Sequence, residues 1–264
     1  MNKFVHKKSL GQNFLRDENV LNKIKNSVLV DSDDLIIEIG PGQGALTKKL
    51  KEFNANLLCF EIDERTKPDL QALEDSKTKI IFEDFLKTDI INQIKDIKYK
   101  NLYIVANLPY YITTPIIEKI TELKLPVKEM VLMVQKEVAD RFGSVPGNKS
   151  YGSITVYLNY YYDIEKLFIV NRDSFNPAPN VDSMVIKFKE KKNRINVTSE
   201  EHFFTLVRNA FKQKRKTIKN NLFDYDLKIV ERVLLEHNLN LQSRAEQIDV
   251  TIFAEISNQL VGQK

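Results

Sequence analysis

A single cysteine, Cys59, and three histidines are all that the 264-residue chain holds of thiol and imidazole. One cysteine excludes an internal disulfide, and so small a set speaks against a Cys/His zinc site, so the composition fits a reducing compartment. No apolar run approaches the roughly 20 residues that a membrane-spanning helix needs. The opening residues, Met1 to Leu10, carry lysines but no apolar stretch of the signal-peptide kind, so the cytoplasm is the expected location. Low-complexity tracts and internal repeats are also missing, which excludes solenoids and disordered arrays. Nor does one sign of charge dominate. Forty basic residues against 36 acidic ones give +4, and that balance names no partner by itself; the distribution matters more.

What is present describes an ordinary globular protein, with 42% hydrophobic and 29% charged residues. The length suits one larger and one smaller domain. Short runs rich in β-branched residues recur at Leu35–Ile39, Asn56–Glu61, Lys79–Glu83, Leu102–Ala106 and Met130–Gln135, separated by helix-like segments. That alternation predicts an α/β fold with a mostly parallel sheet. Two further runs, Ile164–Val170 and Ser183–Phe188, are joined by the proline-rich stretch Ser174–Val181, too short for a helical crossover, and are expected to form an antiparallel edge hairpin. Beyond the polar linker Lys189–Asn193 the texture is helical. Thr198 and Glu201 suit a capping box, with Phe203, Val207, Ala210 and Phe211 on one face after it. The expected division is a domain over 1–189 and a small all-α domain over 190–264.

Glu38-Ile-Gly40-Pro-Gly42-Gln-Gly44 follows the first long strand and opens a helix. Glycines there let backbone approach a ligand closely. A nicotinamide site would place its third glycine three residues after the second, whereas here it comes two after, which disfavours an oxidoreductase. A plain strand-to-helix turn would also account for the loop. Position adds more. Glu38, Glu61, Asp84 and Asn107 are spaced 23 residues apart (61−38, 84−61, 107−84), each near the end of a predicted strand. Open α/β sheets bind ligands at the carboxyl ends of their strands, so the four side chains are expected in one crevice. Glu61 stands where a carboxylate would accept ribose hydroxyls, and Asp84 where one would accept an adenine amino group. Taken alone, Asp84 could equally be a helix cap or turn residue.

Asn107-Leu108-Pro109-Tyr110 follows the fourth of these strands and precedes Thr114-Pro115, read as an N-cap with proline at the first helical position. The Asn107 side-chain oxygen and a nearby backbone carbonyl can each accept one N–H of a target amine, while the Tyr110 ring stacks on its base. An exocyclic adenine amine is a poor nucleophile because its lone pair is delocalised into the ring. Holding both protons favours pyramidal nitrogen and frees that pair. An Asn-Pro turn with a surface tyrosine is the plainer alternative.

These residues resemble the ribosomal RNA adenine-N6,N6-dimethyltransferases, in particular the bacterial small-subunit branch. The likeness also runs through Lys8-Ser-Leu-Gly-Gln-Asn13-Phe14-Leu15, Gln135 to Arg141, Phe175 to Ser183, and Arg244-Ala-Glu246-Gln247. It implies a Rossmann-like methyltransferase domain with S-adenosylmethionine as donor and no metal. It also implies that Asn13, Leu15, Gly40, Glu61, Asp84 and Asn107 line the donor site, and that Tyr110 and Phe175 sandwich a flipped-out adenine. Tyr111 stands where related sequences often carry a smaller polar residue.

Lys212, Lys214, Arg215, Lys216 and Lys219 put five positive charges into eight residues without an acid, which suits phosphate neutralisation. A solvated helix end would also explain them, and Lys7-Lys8 divides the same way between RNA contact and solvated terminus. The expected partners are small-subunit ribosomal RNA and an assembling 30S particle, met by a monomer. Three rivals are a large-subunit adenine methyltransferase of the macrolide-resistance type, a non-catalytic RNA-binding assembly factor on the same fold, and the oxidoreductase already disfavoured. Gly11 before Gln12-Asn13 and Leu108 in the tetrapeptide speak against the first, and the intact Glu61, Asn107, Pro109 and Tyr110 against the second.

Overall fold

The computed structural model describes residues 13–109 and 112–262. Lys7, Lys8, Tyr110 and Tyr111, singled out above, lie outside the described residues. In chain order the strands are β1 (Phe14–Leu15), β2 (Leu35–Ile39), β3 (Asn56–Phe60), β4 (Thr78–Ile81), β5 (Leu102–Asn107), β6 (Val127–Gln135), β7 (Tyr162–Val170), β8 (Phe175–Asn176) and β9 (Ser183–Glu190). The α-helices are α1 (Glu18–Lys25), α2 (Ala45–Leu50), α3 (Lys67–Gln71), α4 (Ile90–Ile94), α5 (Thr113–Glu122), α6 (Lys136–Phe142), α7 (Ser153–Tyr161), α8 (Glu200–Ala210), α9 (Ile218–Asn221), α10 (Leu227–Glu236) and α11 (Val250–Val261).

Seven strands form one sheet in the order β4-β3-β2-β5-β6-β9-β7. β2 is fully buried, as expected of an apolar run covered on both faces. It pairs in parallel with β3 on one side and β5 on the other, and β4 and β6 extend the parallel ladder outward. The chain therefore reverses its direction of travel across the sheet at β2, which is where open α/β sheets leave a crevice. β9 runs antiparallel to β6, and β7 lies at the edge beside it. The α/β class with a mostly parallel sheet is the one expected from the sequence, and the two runs expected to pair at the edge, β7 and β9, are neighbours there. The short β1–β8 ribbon has no counterpart in the sequence reading; it sets Leu15 opposite Phe175 and Phe14 opposite Asn176.

Two compact units result. One comprises the chain through Ala139 together with Glu165–Glu190; the other comprises Asp140–Ile164 and everything from Lys191. The contiguous division at 189/190 therefore misses the segment 140–164. Its Tyr151, Val156 and Tyr160 share a core with Phe203, Leu206, Val230 and Phe253, so the segment's buried area belongs to the helical unit. In that unit the Tyr160 and Tyr161 hydroxyls donate to Glu200 at 3.1 and 3.0 Å, tying α7 to the first turn of α8.

Two helix starts also differ from expectation, one by a single residue and one by two. α8 is capped by Ser199, whose side chain accepts from His202 N at 3.2 Å, while Thr198 N donates to Asn258 Oδ1. α5 begins at Thr113, with Ile112 at its N-cap and no side-chain cap, so Thr114 and Pro115 fall inside the first turn. Proline is tolerated there because the first-turn N–H groups have no intrahelical acceptor.

Candidate active site

The cleft lies in the α/β unit, at the carboxyl ends of β2, β3 and β5. The turn after β2 lines it through Gly40, Pro41, Gly42 and Gln43. Gly40 (φ +71°) and Gly42 (φ +58°) adopt left-handed backbone. A Cβ on Gly42 would stand 2.6 Å from the Phe14 ring, so both conformation and space demand glycine. The register of β2 against β5 sets Ile39 beside Ala106, which brings Gly40 next to Asn107; a Cβ on Gly40 would come within 3.9 Å of the Asn107 carbonyl oxygen. The turn thus brings the backbone of Gly40 and Gly42 to the crevice, with Pro41 and Gln43 beside it.

Three carboxylates line the cleft with this turn, each held differently. Glu38 lies within β2, beside Cys59 and Val105 on the flanking strands, and accepts the Cys59 thiol at 3.4 Å. Burial pushes its carboxyl up to about 7, the nearby Thr47 hydroxyl and the Cys59 thiol oppose that, and neighbouring Glu61 adds to it. Glu61, 6% exposed, directly follows β3. Its Oε2 accepts from Gly42 N at 2.9 Å, and its Oε1 from Ile62 N and Asp63 N at 2.9 and 2.8 Å. Burial raises this carboxyl too, while the backbone donors favour its charged form. The side chain thus fastens the glycine turn to its own loop. Asp84, three residues past β4, is half-buried and winds a loop around itself: its Oδ1 accepts from Leu86 N at 2.9 Å and its carbonyl from Lys87 N and Thr88 N. The turn-forming part open to Asp84 is realised, and it lines the cleft as well.

Asn107 is the last residue of β5. Its Nδ2 donates to the Asn13 carbonyl at 3.4 Å, which leaves Oδ1 as the acceptor end of a side chain that lines the cleft. Leu108 is buried, and its N–H donates to the Met133 carbonyl at 3.2 Å, anchoring the loop to β6. The Pro109 carbonyl is engaged by Ile112 N at 3.2 Å and by the Thr113 hydroxyl at 3.5 Å. Among the described residues no hydrogen bond to the Leu108 carbonyl is found.

Asn13, Leu15, Gly40, Glu61, Asp84, Asn107, Leu108, Pro109 and Phe175, all expected at the site, therefore line one cleft. Phe175 and Leu15 reach it through the β1–β8 ribbon. Sequence reasoning misses the parts of Phe14, Ile62 and Phe85, which line it too. Phe14 belongs to the family-like stretch from Lys8 to Leu15; its role becomes legible only once Gly42 is seen against its ring. The described residues hold one carboxylate cluster with metal-ligand spacing, Asp31, Asp33 and Asp34. It is a turn at the opposite end of β2: Asp34 Oδ1 accepts from Asn101 N and Nδ2, and Oδ2 from Asp31 N.

In the helical unit Lys212, Lys214, Arg215, Lys216 and Lys219 are all exposed. The segment has a fixed shape. Asn221 Nδ2 donates to the Ala210 and Gln213 carbonyls at 2.6 and 3.2 Å, and Lys214 Nζ donates to the Lys149 carbonyl at 2.7 Å. Exposed Lys149 thereby joins the basic surface, an addition that spacing along the chain does not signal.

An open parallel sheet with its cleft at the switch point, a glycine turn and strand-end carboxylates defines an enzyme of the Rossmann-like methyltransferase class. The family model of the ribosomal RNA adenine dimethylases matches residues 3–261. The ribosomal RNA small subunit methyltransferase A of Bacillus mycoides (strain KBAB4) is 43% identical over 272 residues, covering 99% of this chain and 93% of that protein. A dimethyladenosine transferase from Plasmodium falciparum superimposes with a TM-score of 0.76 at 27% identity, covering 92% of this chain and 95% of that one. The 23S rRNA methyltransferase ErmE shares the fold, with a TM-score of 0.72 at 22% identity over 94% of this chain and 100% of its own. The chain belongs to the ribosomal RNA adenine dimethylase family.

Proposed function

We propose that the protein dimethylates the N6 amines of two adjacent adenines near the 3′ end of 16S small-subunit ribosomal RNA, with S-adenosylmethionine as donor. It acts as a cytoplasmic monomer on an assembling 30S particle. The observation that carries this reading is the meeting of Glu61, Asp84 and Asn107 in one cleft beside the glycine turn, in a chain so close to named small-subunit methyltransferases.

The residues present fit the donor. At Gly40 the nearest atom to the Cβ position is the Asn107 carbonyl oxygen, 3.9 Å away, so a ligand there can approach the backbone without a side chain in the way. Glu61 Oε2 is engaged only by Gly42 N among the described residues, which leaves acceptor capacity for a ribose hydroxyl. Asp84 stands one strand further on for an adenine amino group. When bound, the donor supplies a methyl group on a positively charged sulfur, and Glu61, whose charged form three backbone N–H groups support, favours positive charge nearby.

The target adenine leaves its stack to reach the cleft. Phe175 offers one face for it, and the family resemblance assigns the other to Tyr110, which lies outside the described residues. Asn107 Oδ1 and the Leu108 carbonyl accept the two amine protons, which turns the nitrogen lone pair toward the methyl group. These acceptors matter most as the nitrogen becomes pyramidal, so they act on the transition state more than on binding. Once methylated, the nitrogen is acidic and sheds its proton without a strong base or a metal ion. A singly methylated amine still has one proton for either acceptor, so the second transfer can use the same site.

Exposed Lys212, Lys214, Arg215, Lys216 and Lys219 neutralise phosphates and position the RNA without reading its sequence. So small a basic surface suits a shaped particle better than a long free RNA. The test offers purified enzyme undermethylated small subunits, naked small-subunit RNA and large subunits, with modified nucleosides identified by mass spectrometry. Dimethyladenine in the small subunit is expected. Product confined to the large subunit overturns the assignment, and equal activity on naked RNA removes the particle requirement alone.

A further inference from the structure

Lys119 has no part in the chemistry above, yet it joins the two sides of the cleft. It sits on α5, the helix that follows the Asn107 loop and whose Ile116 lines the cleft. Its Nζ donates to the carbonyls of Phe85 and Thr88, both at 2.7 Å, and lies 5.6 Å from the centroid of the Phe85 ring. Those carbonyls belong to the loop that Asp84 winds around itself. The Asp84 carbonyl accepts from Lys87 N, Thr88 N and the Thr88 hydroxyl at 2.9, 3.0 and 2.9 Å. One ammonium therefore closes from outside the loop that Asp84 closes from within. The Phe85 ring is further held edge-on against Phe60, the residue before Glu61, with centroids 5.4 Å apart.

Two charge-assisted hydrogen bonds to backbone carbonyls, from a half-buried lysine, are stronger than neutral ones and fix direction as well as distance. Burial lowers the Lys119 ammonium, and the carboxylates of Asp84 and Asp89 oppose that shift. A lysine that merely covered surface would have no reason to reach across from the amine-side helix to two carbonyls in one neighbouring loop.

We propose that Lys119 is a positioning residue that holds the Asp84–Thr88 loop in its donor-binding shape, so that donor affinity depends on it far more than turnover at saturating donor. The proposal rests on the reading of Asp84 as part of the donor site. It is tested with the full-length chain by calorimetry of S-adenosylmethionine and by steady-state methylation of small subunits, comparing wild type, Lys119→Met, Lys119→Gln, Lys119→Arg and Asp84→Ala. In Lys119→Met the donor Kd and KM should rise about tenfold or more, with kcat at saturating donor within about threefold of wild type. Lys119→Arg should recover most of the affinity, since a guanidinium can donate to both carbonyls. If Lys119→Met folds too poorly to titrate, Lys119→Gln, which keeps one donor pair, should give an intermediate Kd. Wild-type donor Kd in either neutral variant, even with a lowered kcat, overturns the proposal. Unchanged donor affinity in Asp84→Ala would instead sink the donor-site reading beneath it.

Discussion

The cleft of the α/β unit and the basic surface of the helical unit use side chains in opposite ways. Glu61, Leu108 and Phe175 are nearly or fully buried, and Glu61 and Leu108 are tied to backbone donors or acceptors. Lys212, Lys214, Arg215, Lys216 and Lys219 are exposed, and Lys214 is fastened through its ammonium to a backbone carbonyl. The first arrangement works by placing atoms, so removing one acceptor should be felt at one step. The second works by summed charge, so the effects of substitution should be graded and screened by salt. Asn107 and the Lys214–Lys216 triplet are the positions at which this contrast breaks most visibly.

Asn107→Ala should show the largest effect. Removing one transition-state acceptor from a preorganised site lowers kcat by about 10²–10³-fold. RNA affinity should stay close to wild type, although donor affinity can fall somewhat because the side chain also fastens Asn13. Single-turnover methylation alongside filter binding separates the two. Turnover within a few-fold of wild type would mean that Asn107 does not orient the amine.

Reversing Lys214, Arg215 and Lys216 to Glu should do the converse. RNA binding should weaken, and its log–log salt slope should flatten by about 0.7–0.9 for each phosphate no longer neutralised. Donor binding, which the proposed site places in the cleft of the other unit, should not move. A steep and unchanged slope would place the RNA on another face and remove the electrostatic half of the comparison.

The two regions also differ in how legible they are. The four strand-end residues can be read because a parallel βαβ repeat converts sequence spacing into a position along one sheet edge, and Glu38, Glu61, Asp84 and Asn107 all reach the cleft. The basic surface is legible as composition only, since nothing in local sequence states that Lys149 lies beside Lys214. What escapes the sequence is long-range. The β1–β8 pairing joins residues some 160 positions apart by two-residue strands, too short for any periodic signal. A contiguous division puts the segment 140–164 in the wrong unit because its apolar residues show that they are buried but not against what. Helix starts slip because Ser199, next to Thr198, is as good a cap, and because α5 starts without a side-chain cap at all.

Glu61→Ala probes placement at a ground-state contact. Donor binding should weaken by about 1–3 kcal/mol, the cost of leaving ribose hydroxyls without their charged acceptor. RNA affinity should barely change. Calorimetric donor affinity equal to wild type would reduce Glu61 to a fastener of the Gly42 turn, which its three backbone contacts already make it.

The smallest expected effect sharpens the contrast from the other side: the cleft should answer to pH where the basic surface answers to salt. Glu38 is fully buried, and its carboxyl is raised from 4.5 to about 7, chiefly by burial. Between those values the folded protein binds a proton at Glu38 that the unfolded chain has released. Folded stability is therefore fully supported below about 4.5 and is lost as pH rises through about 7. From pH 6 to pH 7 this one group should cost about 1 kcal/mol of unfolding free energy. Glu38→Gln keeps an acceptor for the Cys59 thiol and carries no charge, so that component should vanish and the variant should gain on wild type as pH rises. Urea midpoints of the donor-free protein at pH 5, 6, 7 and 8 measure it, and parallel curves for the two proteins would show that Glu38 does not titrate in this range. The same midpoints compared at low and high salt should barely separate wild type from Glu38→Gln, because a buried carboxyl is screened far less than the exposed lysines of the other unit.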